Sequence, residues 1–221
     1  GLSPSVTVGG KTCSVISSTD NQIICITPDG SGVARPVVAS AGSSVSGDSV
    51  VFNYLPPSVT SISPPEAPSS GYLGGTILTI QGSSFSTNGF VTVGGKTCGL
   101  TMTGFNHTHI YCLLPEGQGV NQPVLVFVDG QQSNVTFFNY SAPNITSISP
   151  RKGNTPGGYV VTILGTSFGT SGLVTIGGAN CPVSASVYSH SEIRCFVPAG
   201  QGLSQPVLVT SAGRANTITV A

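Results

Sequence analysis

The sequence predicts an all-β chain, built as a head-to-tail rod of small tandem sandwiches. Three observations carry this. A hairpin motif occurs three times at a spacing of about 85 residues, short β-branched runs alternate with Gly, Pro and Asn turns, and no segment shows helical periodicity with caps. The motif reads Val6-Thr7-Val8-Gly9-Gly10-Lys11-Thr12-Cys13, Val91-Thr92-Val93-Gly94-Gly95-Lys96-Thr97-Cys98 and Val174-Thr175-Ile176-Gly177-Gly178-Ala179-Asn180-Cys181. A second cysteine follows 12 or 14 residues later, at Cys25, Cys112 and Cys195. Three residues beyond it comes a proline turn, opening at Pro28, Pro115 and Pro198. A period this long suits independent domains in series rather than a solenoid.

The spacing divides the chain into residues 1–55, 56–142 and 143–221. The second copy is complete. Pro57–Pro64 opens it as an extended edge segment, since a proline at each end keeps it out of a sheet centre. Gly74–Phe85 is a turn, a β-branched strand and a turn; the Val91 strand and the cysteine hairpin follow. Pro123–Gly130 is a strand ended by a tight turn, and Asn134–Tyr140 is the last strand. About seven short strands in some 85 residues is the profile of an immunoglobulin-like sandwich. The third copy repeats it from Pro143. Linkers are nearly absent, and proline at Tyr54-Leu55-Pro56-Pro57 and Tyr140-Ser141-Ala142-Pro143 predicts stiff joints. The first copy is incomplete: by the cysteine offset, the 29 residues equivalent to Pro57–Phe85 are missing. Its core and strand edges are expected to be open. Two readings stand: the segment has been cut away, or another chain donates those strands.

Charge is unusually scarce. Only 6% of residues are charged, with seven basic and seven acidic, against about 25% in ordinary domains. No basic patch exists to neutralise phosphates, so nucleic acid is not an expected partner. No apolar run approaches the roughly 18 residues of a spanning helix, so direct membrane insertion of this segment is not expected either. The sequence carries no signal peptide, so a secreted protein would be represented here by a mature or excised segment. Six cysteines in three equally placed pairs predict structural disulfides in an oxidising, extracellular compartment. Of the 15 connectivities that six cysteines allow, the repeat selects Cys13–Cys25, Cys98–Cys112 and Cys181–Cys195. Zinc is the rival reading, but no Cys-Xaa-Xaa-Cys occurs and no histidine recurs with the pairs.

The ordered motifs resemble a known family. Pro-x-Ile-Thr-Ser-Ile-Ser-Pro (Pro143–Pro150), Gly-Gly…Thr-Ile-x-Gly-x-Ser-Phe (Gly74–Phe85), Val-Gly-Gly-x-x-Cys, Cys-x-x-Pro-x-Gly and a closing Phe-x-Tyr are together similar to the IPT/TIG module. This is an immunoglobulin-like domain of surface receptors and of some transcription factors. The resemblance covers essentially the whole chain. It implies a sandwich with a disulfide between the paired cysteines, and a spacer and interaction unit with no catalytic residues. The transcription-factor members bind DNA through basic loops, and no such loop is present here.

No catalytic residues, metal site or cofactor are expected from the residues themselves. Gly-Gly before cysteine is a turn needing positive φ rather than a phosphate loop, since no helix follows. Serine is too frequent for a Ser/His/Asp triad to be excluded by counting, yet nothing resembles a nucleophile elbow. His107 and His109 lie two apart without a recurring acidic or cysteine partner, and read as surface residues; so does His190 in a similar hairpin. Asp20, Asp29, Asp48 and Asp129 are mostly at turns and read as Asx-turn residues. Asn106, Asn134, Asn139 and Asn144 head Asn-x-Ser/Thr triplets, so they are candidate glycosylation sites. Three of them lie within eleven residues at the second joint.

The function expected from these readings is a non-enzymatic extracellular structural or adhesive protein, glycosylated and polymerising head to tail through strand complementation of its first domain. The partner is then another copy of the chain or another cell-surface protein. The alternative is an ectodomain fragment of a cell-surface receptor that binds a protein ligand.

Overall fold

A computed structural model describes residues 3–219. The first module comprises β1 (Ser5–Val8), β2 (Lys11–Ser18), β3 (Ile23–Ile26), β4 (Arg35–Ala41), β5 (Ser44–Val45) and β6 (Val51–Phe52). The second comprises β7 (Ser58–Ser63), β8 (Glu66–Ala67), β9 (Ile77–Ser83), β10 (Phe90–Val93), β11 (Lys96–Phe105), β12 (His109–Leu113), β13 (Gln122–Val128), β14 (Gln131–Gln132) and β15 (Thr136–Tyr140), with one 3-10 turn at Gly71–Gly74. The third comprises β16 (Asn144–Ser149), β17 (Val160–Thr166), β18 (Leu173–Ile176), β19 (Ala179–Asn180), β20 (Val183–Tyr188), β21 (Glu192–Phe196), β22 (Pro206–Ser211) and β23 (Arg214–Thr219).

The second module shows the architecture in full. One layer runs β7-β9-β12-β11 and the other β11-β10-β13-β15-β8. The long strand β11 joins them: Lys96–Cys98 pair with β10, and Gly99 onward pair with β12. The opening segment edges both layers. β7 pairs antiparallel with β9, and after Pro64-Pro65 the chain crosses to place β8 parallel to β15. Proline has no N–H to donate, so β7's ladder stops there. The third module follows this plan with differences: among the described residues no strand takes the place of β8, and β23 runs unbroken where the second module has β14 and β15. Pro182 stands where the second module has Gly99, and the strand splits into β19 and β20, leaving two separate four-stranded sheets.

Alternation explains the core. In β13 the inward Val124, Val126 and Val128 are buried while Pro123 is exposed. They share one core with Val91 and Phe138 of their own layer and with Leu78, Ile80, Phe85 and Ile110, all fully buried. The third module repeats this around Ile163, Phe168, Val174, Ile193 and Val209. The first module buries far less: Val6, Val8 and Cys13, with half-buried Ile23, Phe52 and Tyr54 against them. β3 pairs only with β2, whereas β12 and β21 pair on both sides, and Ile16, Ile24 and Ile26 are exposed. Among the described residues the outer edge of β3 is therefore unpaired and its apolar side chains are open.

Candidate functional site

The cysteine pairs join as the repeat selects, Cys13–Cys25, Cys98–Cys112 and Cys181–Cys195, with Cα–Cα separations of 5.6, 5.5 and 5.5 Å. The second bridge ties the β10-facing half of β11 to β12 in the opposite layer, so each bridge staples the two layers of its own module. The Gly-Gly turns before them take positive φ, as at Gly94 (57°) and Gly95 (80°).

A second recurring device closes each of the first two modules. The Tyr54 hydroxyl donates to Pro28 O and the Tyr140 hydroxyl to Pro115 O, both at 2.8 Å. A methyl group added to Gly30 or Gly117 would strike these rings, which explains the glycine of the proline turn. Burial pushes the Tyr140 phenol well above its ordinary value, helped by the Glu116 charge. A cleft of about 480 Å³ in the third module is lined by Ile148, Tyr159 and Gly200 among others.

The richest polar constellations lie between modules. At the second joint, the proline turn of module two docks on module three. Gln118 Oε1 accepts from the N–H groups of Thr170 (2.8 Å) and Ser171 (3.3 Å), while its Nε2 donates to Ser171 Oγ (3.2 Å). Arg214 donates to Tyr140 O at 2.7 Å and pairs with Glu66 at 3.1 Å. His190 bridges the modules, with Nδ1 2.8 Å from Ser69 Oγ and Nε2 3.2 Å from Glu116 Oε2. The carboxylate can only accept, so Nε2 carries a proton, and in the neutral ring Nδ1 then accepts from the serine. Gly169 N–H donates to the same Ser69 oxygen at 3.2 Å. The bond from His190 holds Glu116 below its ordinary value, against its own desolvation, and Lys96 adds to the effect.

His190 is therefore not the bland surface residue that its hairpin position predicts. Its side chain is 14% exposed and locked between modules. The equivalent His107 makes no side-chain hydrogen bond among those described. Ser69, His190 and Glu116 have the composition of a hydrolytic triad, but Ser69 is fully buried and its oxygen is held by Gly169. The grouping closes a joint and presents no nucleophile to a substrate. Among the described residues no cluster of three or more metal-ligating side chains occurs.

The first joint uses equivalent positions. Ser31, at the place of Gln118 in its proline turn, donates to Asp129 (2.6 Å), and its oxygen lies 3.1 Å from Ser86 Oγ, both on module two. Arg35 pairs with Asp129 at 2.8 Å, so this aspartate serves the joint as well as its turn. Gln131 Nε2 donates to Tyr54 O at 3.1 Å. Gln131 and Arg214 lie 83 residues apart, the offset of Cys98 and Cys181, and each caps the closing tyrosine carbonyl of the preceding module. Side chains that straddle the boundary thus add hydrogen bonds and ion pairs to the proline-bearing joints.

The four sequon asparagines differ in their surroundings. Asn144 is exposed with no side-chain bond described. Asn106 is exposed, and its Oδ1 caps the Thr108 and His109 N–H groups. Asn139 Oδ1 accepts from Asn121 N–H at 2.8 Å. Asn134 is committed on both sides: Oδ1 accepts from Val59 N–H (2.8 Å) and Nδ2 donates to Val59 O (3.0 Å). It pins strand β7, as Asn216 Oδ1 pins Ile145 of β16.

Tandem two-layer sandwiches with one staple each and side-chain-locked joints define a modular immunoglobulin-like array. The IPT/TIG domain model matches residues 2–54, 57–140 and 143–220, and the chain belongs to this family. Human fibrocystin-L is 30% identical over 204 residues, covering 86% of this chain and 5% of its own length. Plexin-2 of Caenorhabditis briggsae is 31% identical over 172 residues, covering 74% of this chain and 10% of its own. The chain thus spans a small fraction of the relatives it matches. Among solved structures, the extracellular region of plexin A4 aligns over 99% of this chain and 30% of its own, at 16% identity and a TM-score of 0.37.

Proposed function

We propose that this chain is a non-enzymatic, extracellular rod segment of a longer cell-surface protein, which holds neighbouring domains at fixed spacing and orientation. The observation that carries it is the repeated joint: the same proline turn, the same tyrosine carbonyl and the same hairpin position are used at both boundaries. The similarity to fibrocystin-L and plexin sequences supports the cell-surface setting. Three disulfides and a charge-poor, sequon-bearing sequence support secretion. Among the described residues no helix is long and apolar enough to cross a membrane. Small-angle scattering with spin-label distances between modules one and three tests the rod. A compact chain of this length has a radius of gyration of about 17 Å. The proposal expects a clearly larger value and one narrow distance distribution; a broad distribution overturns it.

Homotypic head-to-tail association is the second reading. The free edge of β3, flanked by exposed Ile24 and Ile26, can accept a strand like β9, and the Gln201–Leu203 part of the third proline turn lies exposed. Light scattering should then show concentration-dependent oligomers that Ile26→Lys abolishes. A monomer at every concentration removes this reading and leaves the rod intact.

A further inference from the structure

One sheet face of the second module is aromatic where its counterparts are not. Phe90 and Phe127 are cross-strand partners on β10 and β13, with rings stacked at 4.7 Å and 11°. On β15, Phe137 and Asn139 are two residues apart and so project to one side, with Val135 just before the strand. Phe90, Val135 and Phe137 are 49%, 49% and 56% exposed, and no charged residue lies among these positions. An exposed apolar patch of this kind calls for a cover. The other modules carry no aromatic residue at these positions: Ser5 pairs with Ser40 and Leu173 with Thr210 where Phe90 pairs with Phe127. At the place of Phe137, cross-strand from Pro123, stand Val51, cross-strand from Pro36, and Thr219, cross-strand from Pro206.

The same module alone carries a sequon on that face. Asn53 of the first module is held as Asn139 is, with Oδ1 accepting from Ala34 N–H at 2.7 Å, but Tyr54-Leu55 follows it and completes no triplet. Asn139 has Ser141 after it and Phe137 two residues before it on the same side of the strand. Its Oδ1 is fixed inward on Asn121, and no bond to Nδ2 is described.

We infer that the aromatic face of module two is the seat of an N-linked glycan on Asn139, whose first N-acetylglucosamine stacks on Phe137 and whose following sugars run toward Leu125 and Phe127. Sugar C–H groups carry partial positive charge and are attracted to the negative face of an aromatic ring. Attachment uses a lipid-diphosphate-linked oligosaccharide: sugar C1 bonds to Asn139 Nδ2, the lipid diphosphate leaves, and the nitrogen loses one proton. The inference rests on the extracellular reading.

The test is a double-mutant cycle on the full chain secreted from glycosylating eukaryotic cells. Phe137→Thr removes the ring in favour of the residue that module three uses, and Ser141→Ala removes the glycan without touching Asn139. The expected result is an occupied Asn139, with Phe137→Thr lowering Tm by roughly 4 °C more in the glycosylated chain than in the Ser141→Ala background. Upfield-shifted N-acetylglucosamine protons should disappear with Phe137. Equal losses in both backgrounds, or an unoccupied Asn139 beside an occupied Asn144, overturn the inference alone. If no sequon is occupied, the extracellular reading falls with it.

Discussion

His190→Ala isolates what the second joint contributes. The substitution leaves Ser69 Oγ, fully buried, with the Gly169 N–H as its one partner and its own proton without an acceptor. A buried group stranded in this way costs about 1–3 kcal/mol. The lost contact to Glu116, a side chain 42% exposed, adds at most about 0.5 kcal/mol. A total of about 2 kcal/mol lowers the melting transition of a module of this size by on the order of 8 °C. His107→Ala is the internal control, since it alters the equivalent hairpin of module two without breaking a described side-chain bond. Differential scanning calorimetry reads the transition, and hydrogen exchange reads the joint directly at Gly169 N–H. Exchange there should quicken by roughly tenfold or more in His190→Ala alone. If both variants melt alike and Gly169 exchanges at the same rate, His190 does not lock the joint and the reasoning fails.

Gly117→Ala should destabilise the second module by about 1–3 kcal/mol, because the new methyl strikes the Tyr140 ring, whereas Gly200→Ala meets nothing within 4 Å and should be neutral by thermal melting. Replacing Cys98 and Cys112 by serine should cost about 3 kcal/mol by urea denaturation, and non-reducing peptide mapping should find only bridges within modules. Asn134→Ala should cost about 1–2 kcal/mol through the two lost bonds to Val59, and glycopeptide mapping should find Asn134 unoccupied, since its amide nitrogen is already engaged. The Glu116 carboxyl is held below its ordinary 4.5, so its stabilisation is complete above that pH and is lost as pH falls through the folded value. Melting curves between about pH 3 and 6 should show this slope, and Glu116→Gln should flatten it.

The strands, the Gly-Gly turns and the cysteine pairing were legible because each depends on near neighbours. Val124, Val126 and Val128 alternate with outward residues, and Gly94-Gly95 sits where a two-residue hairpin needs positive φ. The split of the third module's sheet was also written in the sequence, at Pro182, though only comparison with Gly99 makes its consequence visible. His190, Ser69 and Asp129 were not legible in the same way. Their roles depend on which surfaces meet across a boundary, and composition around them is that of ordinary turns and hairpins. Asn134 was hidden differently: its triplet reads as a sequon, while its structural role appears only beside Asn216, which has no triplet.

The two joints show how one geometry is kept while its chemistry changes. The position that follows each hairpin turn on the incoming module, Gln131 or Arg214, always finds the closing tyrosine carbonyl, because that carbonyl is fixed by a tyrosine tied to its own proline turn. With this anchor set by the fold, the remaining contacts are free to vary. At the first joint an ion pair of half-exposed side chains, 36% for Arg35 and 43% for Asp129, does part of what neutral bonds from Gln118 to main-chain amides do at the second. An exposed pair is worth about 0.2–1 kcal/mol and is screened by salt. Amide-to-amide bonds and a largely buried histidine are not. The Arg214–Glu66 pair at the second boundary is screened in the same way, so what resists salt there is the set of Gln118 bonds together with the largely buried His190.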